Sequence, residues 1–178
     1  MEGLGFSHFV MMPVMARDVL EVGATGLGYL SAASGAGAML STIAVAGLGD
    51  FRNKSGLLVA MAACSGLILV LFAFSPWFVV SLIAVAAVGA SLMAYDVTMG
   101  TMLQILATDA LRGRVLGLYG LTFGFTPVGG FVAGTIATIA SAPVALGLFG
   151  VSIVAYVARM ARPILRLRPT QESVQAPD

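Results

Sequence analysis

The stretch Phe78–Leu106 reads FVVSLIAVAAVGASLMAYDVTMGTMLQIL and carries a single charged residue, Asp96. A helix needs about 20 mainly apolar residues to cross the roughly 30 Å hydrocarbon core of a bilayer. Inside that core every backbone N–H and C=O must find a partner within the protein, and a helix satisfies this requirement by itself. The stretch is therefore predicted to be a transmembrane helix, and it indicates the class of the whole chain.

Similar apolar runs lie on both sides of this stretch. They cover residues 26–48, 56–74, 115–140 and, marginally, 143–158, which extends to residue 161 if Arg159 snorkels to the interface. A shorter run, 3–16, is about 21 Å long as a helix, and we interpret it as a helix whose first half is missing. The predicted helices cover about 3–20, 25–48, 55–74, 77–106, 113–140 and 142–161.

The composition agrees with this interpretation. Hydrophobic residues make up 59% of the chain and charged residues 10%, whereas soluble domains carry roughly 25% charged residues. The predicted fold is an all-α, polytopic transmembrane bundle of about six helices over residues 1–161, followed by a disordered tail, 162–178. The net charge of +1 indicates no nucleic-acid partner. The lipid bilayer is the expected surrounding of the bundle.

The basic residues predict the orientation of the bundle, because Lys and Arg concentrate in cytoplasmic loops. Eight of the nine basic residues fall in alternate breaks and in the tail, and the opposite side has Arg17 beside Asp18 and Glu21. The C-terminus and its tail are therefore expected to be cytoplasmic. The eight residues are Arg52, Lys54, Arg112, Arg114, Arg159, Arg162, Arg166 and Arg168.

Asp96 is the first candidate for a functional residue. A charge in the bilayer costs at least about 2.5–3.5 kcal/mol on insertion scales, so it must face the bundle interior, face a wet cavity or be protonated. Gly100 and Gln104 follow it at helical spacing and form a polar stripe with it. Asp96 is either a protonatable coupling group or substrate contact, or a buried acid satisfied by a neighbouring helix.

His8, the single histidine, is a further candidate. Its ordinary pKa near 6.5 suits a proton carrier, and a polar packing role in the short first helix is the alternative. No nucleophile–base pair, phosphate-cradling loop or metal-ligand cluster is present in the sequence. The chain is therefore predicted to be no enzyme and to need no cofactor or metal.

Small residues mark the run 115–140. Gly117, Gly120, Gly124 and Pro127 share one helix face, and Gly130 and Gly134 form a GxxxG pair. Glycines let helix backbones approach closely in lipid, so this face is either a static packing surface or a sliding interface. Pro127 removes a backbone bond and predicts a kink one turn earlier, near Phe123.

Two short breaks concentrate charge on the predicted cytoplasmic side. Orientation by positive charge accounts for part of the pattern. The alternative, compatible with the first, is that these charges make contacts that lock one face closed. The residues are Asp50 and Lys54 in one break and Asp109, Arg112 and Arg114 in the other.

The break TDALRGRVLGLYGL, 108–121, resembles the loop between the tenth and eleventh helices of major facilitator superfamily transporters. It is most similar to the bacterial branch that contains the enterobactin exporter and related drug exporters. The segment 13–41 resembles the end of helix seven running into helix eight. The break 49–55 resembles the superfamily's cytoplasmic loop motif, with Leu48, Asp50 and Lys54 matching it, and 120–130 resembles the Gly-Pro motif of antiporters.

The resemblance implies that the six helices are helices seven to twelve, the C-terminal half of a transporter in the bacterial inner membrane. Such proteins bind a small-molecule substrate at the midplane between two halves. The resemblance also implies a proton-coupled secondary exporter of small amphipathic molecules, with an N-terminal half or a second copy as partner. The chain is then a fragment, a split-gene product or a dimerising half-transporter. The alternative function is a non-transporting scaffold that binds partner helices.

Overall fold

The structure is a computed structural model that describes residues 5, 7–49 and 53–166. Within these residues there is no strand, so the predicted all-α class is confirmed. The helices are α1 (Ser7–Val14), α2 (Gly23–Gly47), α3 (Lys54–Ala73), α4 (Phe78–Leu106), α5 (Asp109–Thr122), α6 (Thr126–Ile139) and α7 (Ala142–Arg166). A π-helical turn, Met15–Val19, extends α1, and a 3-10 turn, Phe123–Phe125, joins α5 to α6.

Five stretches of the described chain are long and apolar enough to cross a membrane. They are α2, α3, α4, the combined rod Asp109–Ile139, and Ala142–Ala161 within α7. In a bilayer, helices of this kind keep their backbone groups bonded without water. The protein is therefore a multi-pass membrane protein.

The breaks between helices follow from local chemistry. Gly23 and Gly49 adopt positive φ values of 64° and 57°, a conformation that glycine reaches without the steric cost of a Cβ. Asn53 precedes α3, and its side-chain oxygen accepts a hydrogen bond from the backbone N–H of Gly56 at 3.2 Å. Such an N-cap satisfies one of the free donors at a helix start.

Helix packing is closest where glycines face a neighbouring backbone. A Cβ built on Gly37 of α2 would overlap the carbonyl group of Ala86 in α4, and one on Gly89 would overlap Ser34. On the other side of the bundle, a Cβ on Gly150 of α7 would lie 2.7 Å from the carbonyl oxygen of Gly66 in α3. Lipid supplies no hydrophobic drive between helices, so contacts of this kind must hold the bundle together.

The order of packing places α4 at the centre. It contacts α2 on one side and α3 on the other, α3 in turn packs on α7, and α6 contacts both α1 and α7. No described residue of α5 is buried. Within the described chain, α4 is therefore covered by other helices, and α5 is exposed along its length.

The N-terminal end of the described chain contributes to the core through Met11, Met12 and Met15. α7 continues to Arg166, so residues 162–166 of the predicted tail are helical, while 167–178 lie outside the described residues. Asp50 and Arg52, in the break before α3, also lie outside them.

Candidate functional site

Asp96 lies on α4, ten residues before the end of that helix, and it contacts the last turn of α5. Its side chain is half-buried, and the Tyr119 hydroxyl of α5 donates a hydrogen bond to its Oδ1 atom at 3.0 Å. A phenol that donates to an ionised carboxylate makes a charge-assisted hydrogen bond, which is roughly twice as strong as a neutral one. The candidate carboxyl group is thus held by a neighbouring helix.

The Tyr119 side chain is itself positioned by its own helix. Its ring meets the ring of Phe123 edge-on, with centroids 5.9 Å apart and an interplanar angle of 77°. The Thr122 hydroxyl donates to the carbonyl oxygen of Tyr119 at 2.6 Å. Aromatic pairs favour this edge-to-face arrangement, so the phenol is directed from a locally ordered turn.

Gln104 does not join this pair. It is exposed, and it follows Asp96 by eight residues on the same helix, which separates their Cα atoms by about 12 Å at 1.5 Å per residue. Gly100, between them, is half-buried, with no neighbouring atom within 4 Å of a Cβ built on it. The predicted polar stripe is therefore uncovered by other helices at Gly100 and Gln104 in the described chain.

His8 is fully buried on α1. Its Nδ1 atom donates to the carbonyl oxygen of Gly5 at 2.6 Å, and its ring lies 4.3 Å from the ring of Phe9. Its Nε2 atom has no hydrogen-bond partner among the described residues. The structure brings His8 into no hydrogen bond with Asp96 or Gln104 among the described side chains, so the three candidates form no single constellation.

The glycine face of α5 and α6 is open. A Cβ built on Gly117, Gly120, Gly124 or Gly134 would have no neighbouring atom within 4 Å. Gly130 differs, since its Cβ would lie 2.8 Å from the side chain of Val10 in α1. Of these five glycines, only Gly130 closely approaches another helix of the described chain.

The helix break lies directly before Pro127. The 3-10 turn Phe123–Phe125 separates α5 from α6, and Pro127 stands in the first turn of α6. Proline is tolerated there because the first N–H groups of a helix have no partner within it. The rod Asp109–Ile139 thus consists of two helical halves with a change of winding between them.

The charged breaks make local contacts. Arg112 forms an ion pair with Asp109 one turn away, with 2.9 Å between Nη2 and Oδ1, and Arg114 is exposed. Lys54 is half-buried and lines a cavity of about 290 Å³ with Thr98 and Thr101 of α4. Exposed ion pairs contribute little stability, so the Arg112–Asp109 pair adds little to the free energy of unfolding.

Several polar groups were not singled out by sequence reasoning. The Thr98, Ser34 and Ser81 hydroxyls are buried and have no hydrogen-bond partner among the described residues. Tyr119 was also missed, because nothing in the spacing of the sequence connects it with Asp96 on another helix. Among the described residues, no group of His, Cys, Asp or Glu side chains could hold a metal ion.

Comparison with known proteins supplies the family. No curated protein and no solved structure matches the chain. A family model described as transmembrane secretion effector, of the major facilitator type, matches residues 4–178. That match spans nearly the whole chain and agrees with its series of membrane-spanning helices. The chain therefore belongs to the transmembrane secretion effector family of major facilitator transporters.

Proposed function

We propose that this chain forms the C-terminal half of a proton-coupled secondary exporter of small amphipathic molecules. Its family and its membrane-spanning helices support transmembrane transport. Transporters of the major facilitator type bind substrate near the bilayer midplane, between two six-helix halves. One such half supplies one wall of the substrate cavity and needs a second half, or a second copy, for the other wall.

The half-buried carboxyl group of Asp96 carries the proposal. It lies within an apolar membrane span and accepts a hydrogen bond from Tyr119. Ionisable residues inside a membrane are costly, and proton relays in transporters are built from them. A group of this kind can take up a proton from one side and release it to the other, so Asp96 is the proposed coupling residue.

The open glycine face of α5 and α6 supports the proposal that a second half packs here and completes the substrate cavity. Its helices present Gly117, Gly120 and Gly124 with no neighbouring atom within 4 Å of their built Cβ positions. Small residues allow helices from another half to approach closely. Gln104, which is exposed, is a further candidate polar contact for substrate. His8, also a candidate from the sequence, is fully buried in this chain and would reach substrate only if α1 moved.

The orientation and the direction of transport rest on the sequence. The excess of Lys and Arg in alternate breaks favours a cytoplasmic C-terminus, and the resemblance to a bacterial exporter branch favours export across the inner membrane. In this orientation the charged breaks lie on the cytoplasmic side, where they act as contacts that close the cavity. Their members are Asp50, Lys54, Asp109, Arg112 and Arg114.

Transport by membrane vesicles tests the proposal. The chain is co-expressed with an N-terminal six-helix half, and inside-out vesicles are assayed for uptake of a fluorescent amphipathic cation driven by an imposed proton gradient. Asp96→Asn keeps the size of the side chain and removes its ability to bind and release a proton. Gradient-driven uptake should therefore fall to the level measured with a protonophore. Asp18→Asn is the matched control, because Asp18 pairs with Arg17 outside the membrane spans, and it should leave uptake unchanged.

Two results would count against the proposal. Unchanged gradient-driven uptake in Asp96→Asn would remove Asp96 from the coupling role. Uptake that is absent from the unaltered pair of halves, with the chain still associating with other helices in cross-linking, would favour the non-transporting scaffold.

A further inference from the structure

Helix α5 is the least anchored part of the bundle. None of its described residues is buried, and the helix packs on α4. The next helix, α6, belongs to a different neighbourhood, since it packs on α1 and α7. Segments with few buried contacts open at low free-energy cost, so in this chain by itself α5 can move relative to α4.

The 3-10 turn Phe123–Phe125 provides the place where such movement is absorbed. It interrupts the α-helical hydrogen-bond ladder between α5 and α6, and a short 3-10 stretch within a helix often marks a hinge. Pro127, in the first turn of α6, lacks the N–H that would continue the ladder. The turn Phe123–Phe125 is therefore the place in the rod where a bend is most easily absorbed.

The Tyr119–Asp96 hydrogen bond crosses from this weakly packed helix to the central one. The hydroxyl–carboxylate distance is 3.0 Å, and both side chains are half-buried. When Asp96 is ionised the bond is charge-assisted, and when Asp96 is protonated it becomes a neutral bond of roughly half the strength. The strength of the tie between α5 and α4 therefore depends on the proton carried by Asp96.

We propose that Tyr119 is a positioning residue that ties α5 to α4 while Asp96 is ionised and releases α5 when Asp96 is protonated. The inference rests on the proposed coupling role of Asp96. Through this tie, a proton bound within the membrane moves the helix that carries the Asp109, Arg112 and Arg114 break. Tyr119 contacts no substrate in this scheme and acts through Asp96.

Other titratable or charged groups lie on α4 and on the helices that pack against it. Lys54 of α3 lines the same cavity as Thr98, two residues beyond Asp96, and Tyr29 lies near the start of α2, far from the cavity-lining end of that helix. Tyr119 donates a hydrogen bond to the carboxyl group at 3.0 Å, and it does so from α5. The set comprises Tyr29 on α2, Lys54 and Cys64 on α3, Tyr95 on α4 itself, and Asp109, Arg112, Arg114 and Tyr119 on α5.

A distance measurement on the full chain in liposomes tests the tie. Cys64, the single cysteine, is replaced by Ser, and spin labels are placed at the exposed positions Ile105 on α4 and Leu118 on α5 through Ile105→Cys and Leu118→Cys. The distance between the labels is measured by pulsed electron spin resonance as the pH is lowered. In the chain with Tyr119 intact it should lengthen as Asp96 takes up its proton.

The variants separate the roles of the two residues. Tyr119→Phe removes the hydroxyl alone, and Asp96→Asn fixes a neutral acceptor, so both should show the longer distance at every pH. Tyr156→Phe removes the hydroxyl of an exposed tyrosine on α7, and it should retain the pH-dependent change.

Two outcomes would overturn the inference. One is a Tyr119→Phe variant that keeps the pH-dependent distance, and the other is an unaltered chain whose distance does not change with pH. If Asp96→Asn abolishes the change while Tyr119→Phe does not, the role of Tyr119 fails and that of Asp96 stands. Proton-driven uptake that survives Asp96→Asn would instead remove the proposed function.

Discussion

The close approach of α2 to α4 can be tested by adding one methyl group at Gly37. A Cβ at this position would overlap the carbonyl oxygen of Ala86, and it would lie 2.7 Å from the carbonyl carbon and 3.1 Å from the Cα atom of the same residue. These atoms are helix backbone and cannot rotate aside as a side chain would. Gly37→Ala therefore forces the two helices apart over the surface that they share.

The size of the effect follows from the packing. Adding a methylene group to a well-packed contact costs about 1–3 kcal/mol, occasionally more. Alanine is favoured over glycine within a helix by roughly 0.5–1 kcal/mol, which offsets part of this cost. Gly37→Ala should thus lower the free energy of unfolding by up to about 2.5 kcal/mol after that offset, and by about 1–3 kcal/mol relative to a glycine-to-alanine change that makes no clash.

Gly35 supplies a matched control on the same helix. It is exposed, and a Cβ built on it would meet no atom within 4 Å. Gly35→Ala should leave the free energy of unfolding unchanged or raise it by up to about 1 kcal/mol, because the helix preference of alanine acts without a clash. The difference between the two variants is the quantity that reports the α2–α4 contact.

The assay is unfolding of the full chain in mixed micelles with rising sodium dodecyl sulfate, followed by far-ultraviolet circular dichroism. Both variants are compared with the unaltered chain under identical conditions. If Gly37→Ala and Gly35→Ala agree within about 0.5 kcal/mol, the range expected of an unconstrained surface position, the close backbone contact between α2 and α4 would be refuted.

Two further predictions use the same assay. Gly150→Ala should destabilise the chain by about 1–3 kcal/mol relative to Gly134→Ala, because a Cβ on Gly150 would lie 2.7 Å from the Gly66 carbonyl oxygen, whereas one on Gly134 meets no neighbour within 4 Å. Equal effects of the two substitutions would contradict the α3–α7 contact. Ser34→Ala removes a buried hydroxyl that has no partner among the described residues, so it should be neutral or stabilising by up to about 1 kcal/mol. A decrease in the free energy of unfolding by more than about 1 kcal/mol would mean that the hydroxyl is hydrogen-bonded.

Asp96 shows how far a candidate site can be predicted without coordinates. It stood out because a lone acid in the apolar stretch Phe78–Leu106 is costly in lipid and requires a partner or a proton. The partner, Tyr119, is 23 residues away on another helix. Tyrosine is common enough in apolar segments that its place in the sequence carries no sign of this bond, so only the packing of α5 on α4 could identify it.

The glycines show the same limit on packing. The pattern in 115–140 predicted a close-packed face, yet Gly117, Gly120 and Gly124 meet no neighbour in the described chain. Close backbone contacts lie instead at Gly37 and Gly89, between α2 and α4, and at Gly150, between α3 and α7. A membrane helix is apolar on every side, so its sequence lacks the polar–apolar periodicity that reveals the buried face of a helix in water.

The amino-acid sequence by itself determined that the protein is an all-α bundle that spans the membrane several times. The physical reason is that lipid offers no partner to the backbone, so long apolar segments must become helices wherever they occur. Only the tertiary structure decided which helix faces meet, which glycines lie at backbone contacts and which side chain holds Asp96. Those choices depend on the shape of one helix against another, and hydropathy does not encode that shape.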